Sequence, residues 1–382
     1  MNALRPISDT RYRYRRLIGT GGIGSGILFR LAGNQTLGRN ESRLGELTTN
    51  QDFCKLHIIC HYPAVLLCEQ RMEEEDRFKL YPIGKVGNDL EGKALLEQLA
   101  ASGMVVDYVS CLSEAKTLFS VCFQYPDLAG GNITTSNSAS EQVLPQDISL
   151  ALDQFPPDGI SEIVLSAPEV PLAARIALLE RGRARKSFNV AALLSSEAAE
   201  FKDLGGFALT DLIAVNRDEA CRIAGLAEAS ADAELDLGGR PIAAACASYL
   251  SGHNAEMKMI MTDGAAGCYS YENGHLTYTP SLKVKAVSSA GAGDALLGGV
   301  ISGLCCGLPF AKARSDAYFG ETPLESAVEL GALIAALAVT SPHAIHLELS
   351  AKLLAAFAEE NELPMTAAFR YMLGAGQLYE GA

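Results

Sequence analysis

The chain predicts an α/β fold: a doubly wound, mostly parallel sheet flanked by helices, with a small β-rich appendage. Three observations carry that expectation. Short apolar runs of strand length recur at Phe78–Ile83, Ser161–Leu165, Val190–Leu194, Leu212–Val215 and Met259–Thr262, and helix-like segments alternate with them from about residue 78 onward. Polar and glycine residues gather just after these runs, where an open parallel sheet binds its ligands. Finally, the turn Val287-Ser288-Ser289-Ala290-Gly291-Ala292-Gly293-Asp294 opens an apolar helix running from Ala295 to Gly307. No internal repeat and no low-complexity linker cuts the sequence, so 1–382 reads as one domain.

Composition narrows the function classes. The chain has 382 residues, 48% hydrophobic and 20% charged, enough for a full core. Its formal net charge is −14, from 31 Lys+Arg against 45 Asp+Glu, which argues against a nucleic-acid or anionic-membrane surface. The 10 cysteines contain no Cys-x-x-Cys pair, so neither a zinc knuckle nor a thioredoxin motif is present. They read as apolar fillers in a reducing compartment. Arg5, Arg11, Arg13, Arg15 and Arg16 make the start basic, yet no signal-type apolar region follows, and no run approaches a membrane span. A cytoplasmic location is expected.

In chain order, Tyr14–Ile18 is a short β-prone run that ends in Gly-Thr-Gly-Gly-Ile-Gly. A possible helix over Ile27–Leu31 follows, and then a polar excursion, 33–52, with no sustained period. After the Phe78–Ile83 strand, Leu95, Leu96 and Leu99 support a helix from Lys93 to Ser102, with Gly103 at its C′ position. Thr117–Gln124 alternates like a strand, and Pro171–Arg181 reads as a helix. Cys268–Tyr271 is a strand leading to a tight Asn273-Gly274 turn. Glu329–Thr340, nearly all small and apolar, reads as a helix packed on the sheet. Segments 228–241 and 312–324 look like surface insertions.

The chemistry lies in three segments, each after a strand. In the first turn of its helix, Asp294 can take a proton from a hydroxyl that attacks a phosphoryl group held on backbone N–H donors. The small residues before it let such a group approach. The simpler alternative is a helix-end charge. Asn216-Arg217-Asp218-Glu219 follows the Leu212–Val215 strand, where side chains project into a site at the strand ends, and Asn216 with Glu219 has the spacing of a helix capping box. Thr262, Gly264 and Gly267 form a glycine-bounded turn, which by itself reads as a plain hairpin corner.

Gly-Ala-Gly-Asp, Asn-x-x-Glu and Thr-x-Gly, in their sequence order, resemble the signature of the ribokinase-like (PfkB) carbohydrate kinases. Gly84–Gly92 also matches that family's Gly-x-x-Gly-x-Asp-x-x-Gly stretch. The likeness spans roughly residues 78–345, with the nucleotide half clearer. It implies a ribokinase-like fold with a lid from about 20–55 and 105–140. It also implies an ATP- and Mg²⁺-dependent kinase of a small sugar-like alcohol. Asp294 would be the base, with an anion hole of Gly291, Ala292 and Gly293 that includes the Asp294 N–H. Asn216 and Glu219 would organise Mg²⁺. Asn216, Thr262, Gly264 and Gly267, with Ala332 and Ala336 of the adenine-side helix, would hold the nucleotide. Family lids often pair, which implies a homodimer.

The acceptor side departs from the family. Ser288 and Ser289 stand where an acid and a threonine are usual, which puts activation by a monovalent cation in doubt. Gly24 falls near the usual sugar-binding Asp, and His57-Ile58-Ile59-Cys60-His61-Tyr62-Pro63 occupies the region of the Gly-Gly-x-x-x-Asn motif. Acceptor contacts are therefore expected from the polar excursion: Asn34, Arg39, Asn40 and Arg43. Other readings remain: a non-catalytic nucleotide- or sugar-binding relative, and a dinucleotide-dependent oxidoreductase using Gly19–Gly24. His57 and His61 have the spacing of a zinc-protease pair, but Ile58 replaces the glutamate, which favours packing.

Overall fold

The computed structural model describes residues 2–7, 11–48, 52–68, 77–127, 129–155, 161–226, 238–312 and 321–376. Strand β1 (Arg16–Thr20) starts a large sheet. The chain then leaves it for a second sheet through β2 (Gly24–Leu31), β3 (Gly45–Leu47) and β4 (Asp52–Phe53). Helix α1 (Lys55–Leu67) returns it to β5 (Lys79–Gly87), and α2 (Leu90–Ala101) leads to β6 (Val109–Leu112). Strands β7 (Leu118–Gln124) and β8 (Gly130–Thr134) complete the small sheet. Helix α3 (Pro145–Leu152), β9 (Glu162–Ser166), α4 (Leu172–Arg185) and β10 (Phe188–Ala192) follow, then the short helices α5 (Ala198–Asp203) and α6 (Gly206–Leu209). Next come β11 (Leu212–Asn216), α7 (Arg217–Ile223), α8 (Gly239–Ser251) and β12 (Lys258–Thr262), and the hairpin of β13 (Gly267–Glu272) and β14 (His275–Pro280). Helices α9 (Ala292–Cys306), α10 (Ala327–Ala338), α11 (Ala351–Glu360) and α12 (Ala367–Met372) follow.

Among the described residues the large sheet has nine strands in the order β14-β13-β12-β11-β10-β9-β1-β5-β6, parallel except at the terminal β12-β13-β14 hairpins. Strand alternation divides the core into two layers. Leu17, Ile163, Leu165 and Val190 pack with α1, α9 and α10, while Ile18, Val164, Ala191 and Ile213 pack with α3, α4 and α8. Burial on both faces explains why these strands are continuous apolar runs. Order reverses at β1, between β9 and β5, and the carboxyl ends of β1, β9, β10, β11 and β12 lie along one edge. That edge is where a doubly wound sheet offers a crevice.

The small sheet runs β3-β2-β7-β8, with β4 also paired to β2. Ile27–Leu31 is therefore strand, not helix: its partner is β7, in register Ile27↔Val121 and Phe29↔Phe123. This overturns the dinucleotide reading, which needs a helix after Gly24. The glycines serve packing instead. A Cβ at Gly21 would come within 2.8 Å of Ala167 Cβ, and one at Gly24 within 2.5 Å of the Leu118 carbonyl oxygen. Helix α10 begins two residues earlier than the sequence suggests, capped by Ser326 with Glu329 reaching back, and its small residues meet α9. Part of each expected insertion, at 228–237 and 313–320, lies outside the described residues.

Candidate active site

Gly291 sets the turn into α9. Its φ is +73°, and a side chain there would collide with the Ala344 carbonyl, so the position requires glycine. The first hydrogen bond of the helix runs from Ala295 N–H to Gly291 O at 2.8 Å, which places Ala292, Gly293 and Asp294 in the first turn. N–H groups there lack intrahelical acceptors and carry the positive end of the dipole. Ala292 N–H makes only a long contact, 3.4 Å, with Ser289 O. Thr262 Oγ1 comes within 3.7 Å of the β-position of Gly293, so the Thr-x-Gly turn faces the opening of α9.

Burial pushes the Asp294 carboxyl up to about 6, with Lys55 opposing the shift and Glu219 and Asp52 adding to it. Lys55, missed by the sequence reading, is the first residue of α1. Its ammonium lies 3.2 Å from Leu193 O and 3.4 Å from Glu219 Oε1. Burial alone would lower its pKa, but Asp294, Glu219 and Glu169 together raise it, so it stays charged. The signal available was a lone cation opening an otherwise apolar run, Leu56–Leu67.

Two more carboxyls join this junction between the sheets. Glu169 accepts the Lys55 backbone N–H at 3.2 Å, and burial pushes its carboxyl up to about 7. It is one of the few non-glycine residues with positive φ, +74°, a conformation that costs free energy and clusters at functional sites. Its side chain fills the space over Gly22, where a Cβ would stand 2.8 Å from Oε2. Asp52 accepts a hydrogen bond from the Cys122 thiol at 2.8 Å, and burial raises its pKa as well.

Asn216 and Glu219 form the capping box: Asn216 Oδ1 accepts from Glu219 N–H and Glu219 Oε2 accepts from Asn216 N–H, each at 2.8 Å. The cap leaves Glu219 Oε1 turned toward Lys55. No group of three or more His, Cys, Asp or Glu positioned to hold a metal exists among the described residues. Ser288 is buried, and its Oγ accepts the Ala290 N–H at 3.3 Å.

Beside the opening of α9 lies a cavity of about 960 Å³, within the usual range for small-molecule sites. Asn216, Thr262, Gly264, Gly267, Ala332 and Ala336 all lie in its wall, as do Ala292 and Gly293. The expected acceptor residues are not gathered at Asp294. Asn34, Arg39, Asn40 and Arg43 sit in the connection from β2 to β3, where Arg43 binds Glu41 and the Gln35 carbonyl. Asn34 Oδ1 accepts from Asp127 N–H of the β7–β8 turn at 3.2 Å. His57 and His61 are buried on α1, and burial lowers them to about 3 and about 4, so they are neutral packing residues. In the Gly84–Gly92 stretch, Asp89 caps α2 through Gly92 N–H and also accepts the Thr117 N–H, each at 2.9 Å, a structural role.

No helix among the described residues is long and apolar enough to cross a membrane. Comparison with solved structures places the fold. Ribokinase from Cryptococcus neoformans var. grubii serotype A, in complex with ADP, is 19% identical with a TM-score of 0.63, over 93% of this chain and 99% of that one. Burkholderia thailandensis nucleoside kinase, in complex with inosine, is 15% identical with a TM-score of 0.63, over 90% and 97%. Aminoimidazole riboside kinase from Salmonella enterica, complexed with aminoimidazole riboside and an ATP analog, is 17% identical with a TM-score of 0.59, over 90% and 99%. The profile of the pfkB family carbohydrate kinases matches residues 78–351, from β5 to the start of α11 and across every segment of the site but Lys55 and Asp52, so the chain belongs to that family.

Proposed function

We propose that this protein is an ATP-dependent kinase that transfers the γ-phosphoryl group to a hydroxyl of a small sugar-like acceptor. One observation carries the reading: a half-buried carboxyl with a raised pKa, Asp294, stands in the helix turn whose N–H groups open onto the cavity, with Lys55 beside it. The nucleotide lies in that cavity, with its adenine toward Ala332 and Ala336 and its phosphates toward Thr262 and Gly293. The acceptor hydroxyl gives its proton to Asp294 while its oxygen bonds the γ-phosphorus. The bond from that phosphorus to the β–γ bridging oxygen breaks, and ADP leaves. N–H groups of Ala292, Gly293 and Asp294 take the charge that develops on the phosphoryl oxygens. Lys55 adds a cation on the same side. Bound with the nucleotide, Mg²⁺ would neutralise phosphate charge, with Glu219 accepting from its waters and Asn216 keeping Glu219 oriented.

The small sheet acts as the lid over the acceptor. Asp52 and Glu169 at the junction, and Arg39 and Arg43 with Asn34 and Asn40 from the lid loop on closure, are the acceptor contacts in this reading. The protein works in the cytoplasm, where ATP is supplied. The test is an ATP-turnover screen across sugars, sugar phosphates and nucleosides with Mg²⁺ present. Phosphorylated product from one acceptor class is the expected outcome. ATP binding without transfer to any acceptor would favour a sensor over an enzyme.

A further inference from the structure

The Asn-x-x-Glu segment carries a side chain that its motif does not use. Arg217 is the first residue of α7, between the two capping residues, and it lines the same cavity as Asn216, Thr262 and Gly293. Its guanidinium lies 3.4 Å from the Asp263 carboxylate, with the arginine side chain 41% exposed and the aspartate 11%. Asp263 is fixed from behind. Its N–H donates to Gly267 O at 2.8 Å, and its carboxylate packs so closely on the first residue of α8 that a side chain at Gly239 would collide with it.

Position tells what the arginine faces. Strands β11 and β12 end in register, Asn216 beside Thr262, and Thr262 faces the first turn of α9. Arg217 therefore stands at the anion-binding end of the cavity. The other lining cation among the described residues, Lys283, lies on the segment after β14, beside Leu282 and Val284. The wall also holds Asp127, Asp218 and Asp263, a surplus of carboxylate where a polyphosphate would have to bind. A half-exposed ion pair is weak, whereas a guanidinium on a phosphate makes two charge-assisted hydrogen bonds.

We propose that Arg217 is a nucleotide-phosphate ligand of this site, held in place by Asp263 until nucleotide binds, and that it sets the preference for phosphorylated over unphosphorylated nucleosides. The proposal rests on the kinase reading above. Titration calorimetry with adenosine, ADP and ATP, each with Mg²⁺, tests it on the wild type, Arg217→Ala, Arg217→Lys and the double variant Arg217→Ala/Asp263→Asn. Arg217→Ala should weaken ADP and ATP about tenfold and leave adenosine within about twofold, since only the phosphates lose a charged partner. Arg217→Lys, which keeps the charge without the fork, should fall between, and it also reports should the alanine variant melt early. The double variant should stay weak for ADP and ATP. Equal losses for all three compounds, or no loss, would overturn the proposal. So would recovery to wild-type affinity in the double variant, which would trace the defect to an unpaired Asp263. A wild type that binds none of the three compounds overturns the kinase reading as well, whereas wild-type binding with unchanged Arg217→Ala affinities removes the arginine alone.

Discussion

A carboxylate in the first turn of a helix ordinarily keeps a low pKa, because the dipole favours its charge. Asp294 behaves oppositely: burial and the neighbouring Glu219 and Asp52 outweigh both the dipole and Lys55, and its pKa rises from 3.8 to about 6. Two measurements follow. Asp294→Asn cannot take the proton of the acceptor, so turnover should fall on the order of 10²–10⁴-fold while the protein still binds ATP. A folded variant with near wild-type turnover would return Asp294 to a helix-end charge. In the wild type, kcat/KM should drop as pH falls through about 6, as the base becomes protonated. The stability effect has the opposite sign to that of a surface charge. Because the folded-state pKa is the higher one, the wild type loses stability as pH rises from 3.8 through about 6 and does not regain it above. Asp294→Asn should thus melt higher than the wild type at pH 7, by roughly 1–3 °C, and equally below pH 4. Glu219→Gln is the companion experiment. The amide can keep part of the cap but binds a cation's waters poorly, so the variant should need more Mg²⁺ for half-maximal turnover with little change in Tm. An unchanged Mg²⁺ dependence would leave Glu219 with the cap and Lys55 alone.

At the scale of single elements, the site depends on how α9 begins and on what it packs against. Gly291→Ala forces a side chain into positive φ and against the Ala344 carbonyl. The backbone conformation alone costs on the order of 1–3 kcal/mol, so Tm should fall by several degrees and ATP affinity should fall with it. Retention of both would mean that the turn can re-form without Gly291. Behind this turn, a Cβ at Gly299 would stand 2.7 Å from Gly331 Cα, and one at Gly303 2.9 Å from Ala327 Cα. Small residues at a four-residue spacing on both helices thus let α9 and α10 approach closely. These local devices explain why the segments that line the cavity were legible in the sequence: strand end, cap and glycine turn each lie within a few residues of one another. Helix α1 was not legible. It is buried on nearly every side from Leu56 to Leu67 and contains Pro63, so it shows no 3.6-residue period. Lys55 went unseen with it, because its partners Asp294, Glu219 and Glu169 come from distant parts of the chain. Strand β2 failed for a related reason. An apolar run after glycines suits helix or strand alike, and only its partner β7 decides.

In the whole molecule, the proposed division of work is between a cavity for the nucleotide and a junction of the two sheets for the acceptor, and register shows which way each face of the small sheet points. Asp52 lies beside Gly26, and Cys122 beside Leu28, on the face where the thiol meets the carboxylate. Side chains one residue on point the other way. Ile27 lies beside Val121, which lies beside Ile133, and Phe29 lies beside Phe123 and Leu47, so these six apolar residues share the outer face. Ile133 is 74% exposed and Leu47 56%, while the remaining four are partly buried. A continuous apolar sheet face of this kind marks an interaction surface more often than bare solvent contact. The occupant that fits without a further component is the same face of a second copy, since a two-fold axis sets one apolar sheet face against another. We therefore expect a homodimer through the small sheets, which would also steady the lid over the acceptor. Sedimentation velocity of the wild type across a concentration series should show a dimer, and Ile133→Lys should sediment as a monomer at the same concentrations. Because Ile133 is already largely exposed within one chain, the lysine should leave the Tm of the monomer nearly unchanged, so loss of the dimer would report the interface and not misfolding. A monomeric wild type, or a dimer indifferent to Ile133→Lys, would assign that face to something other than self-association.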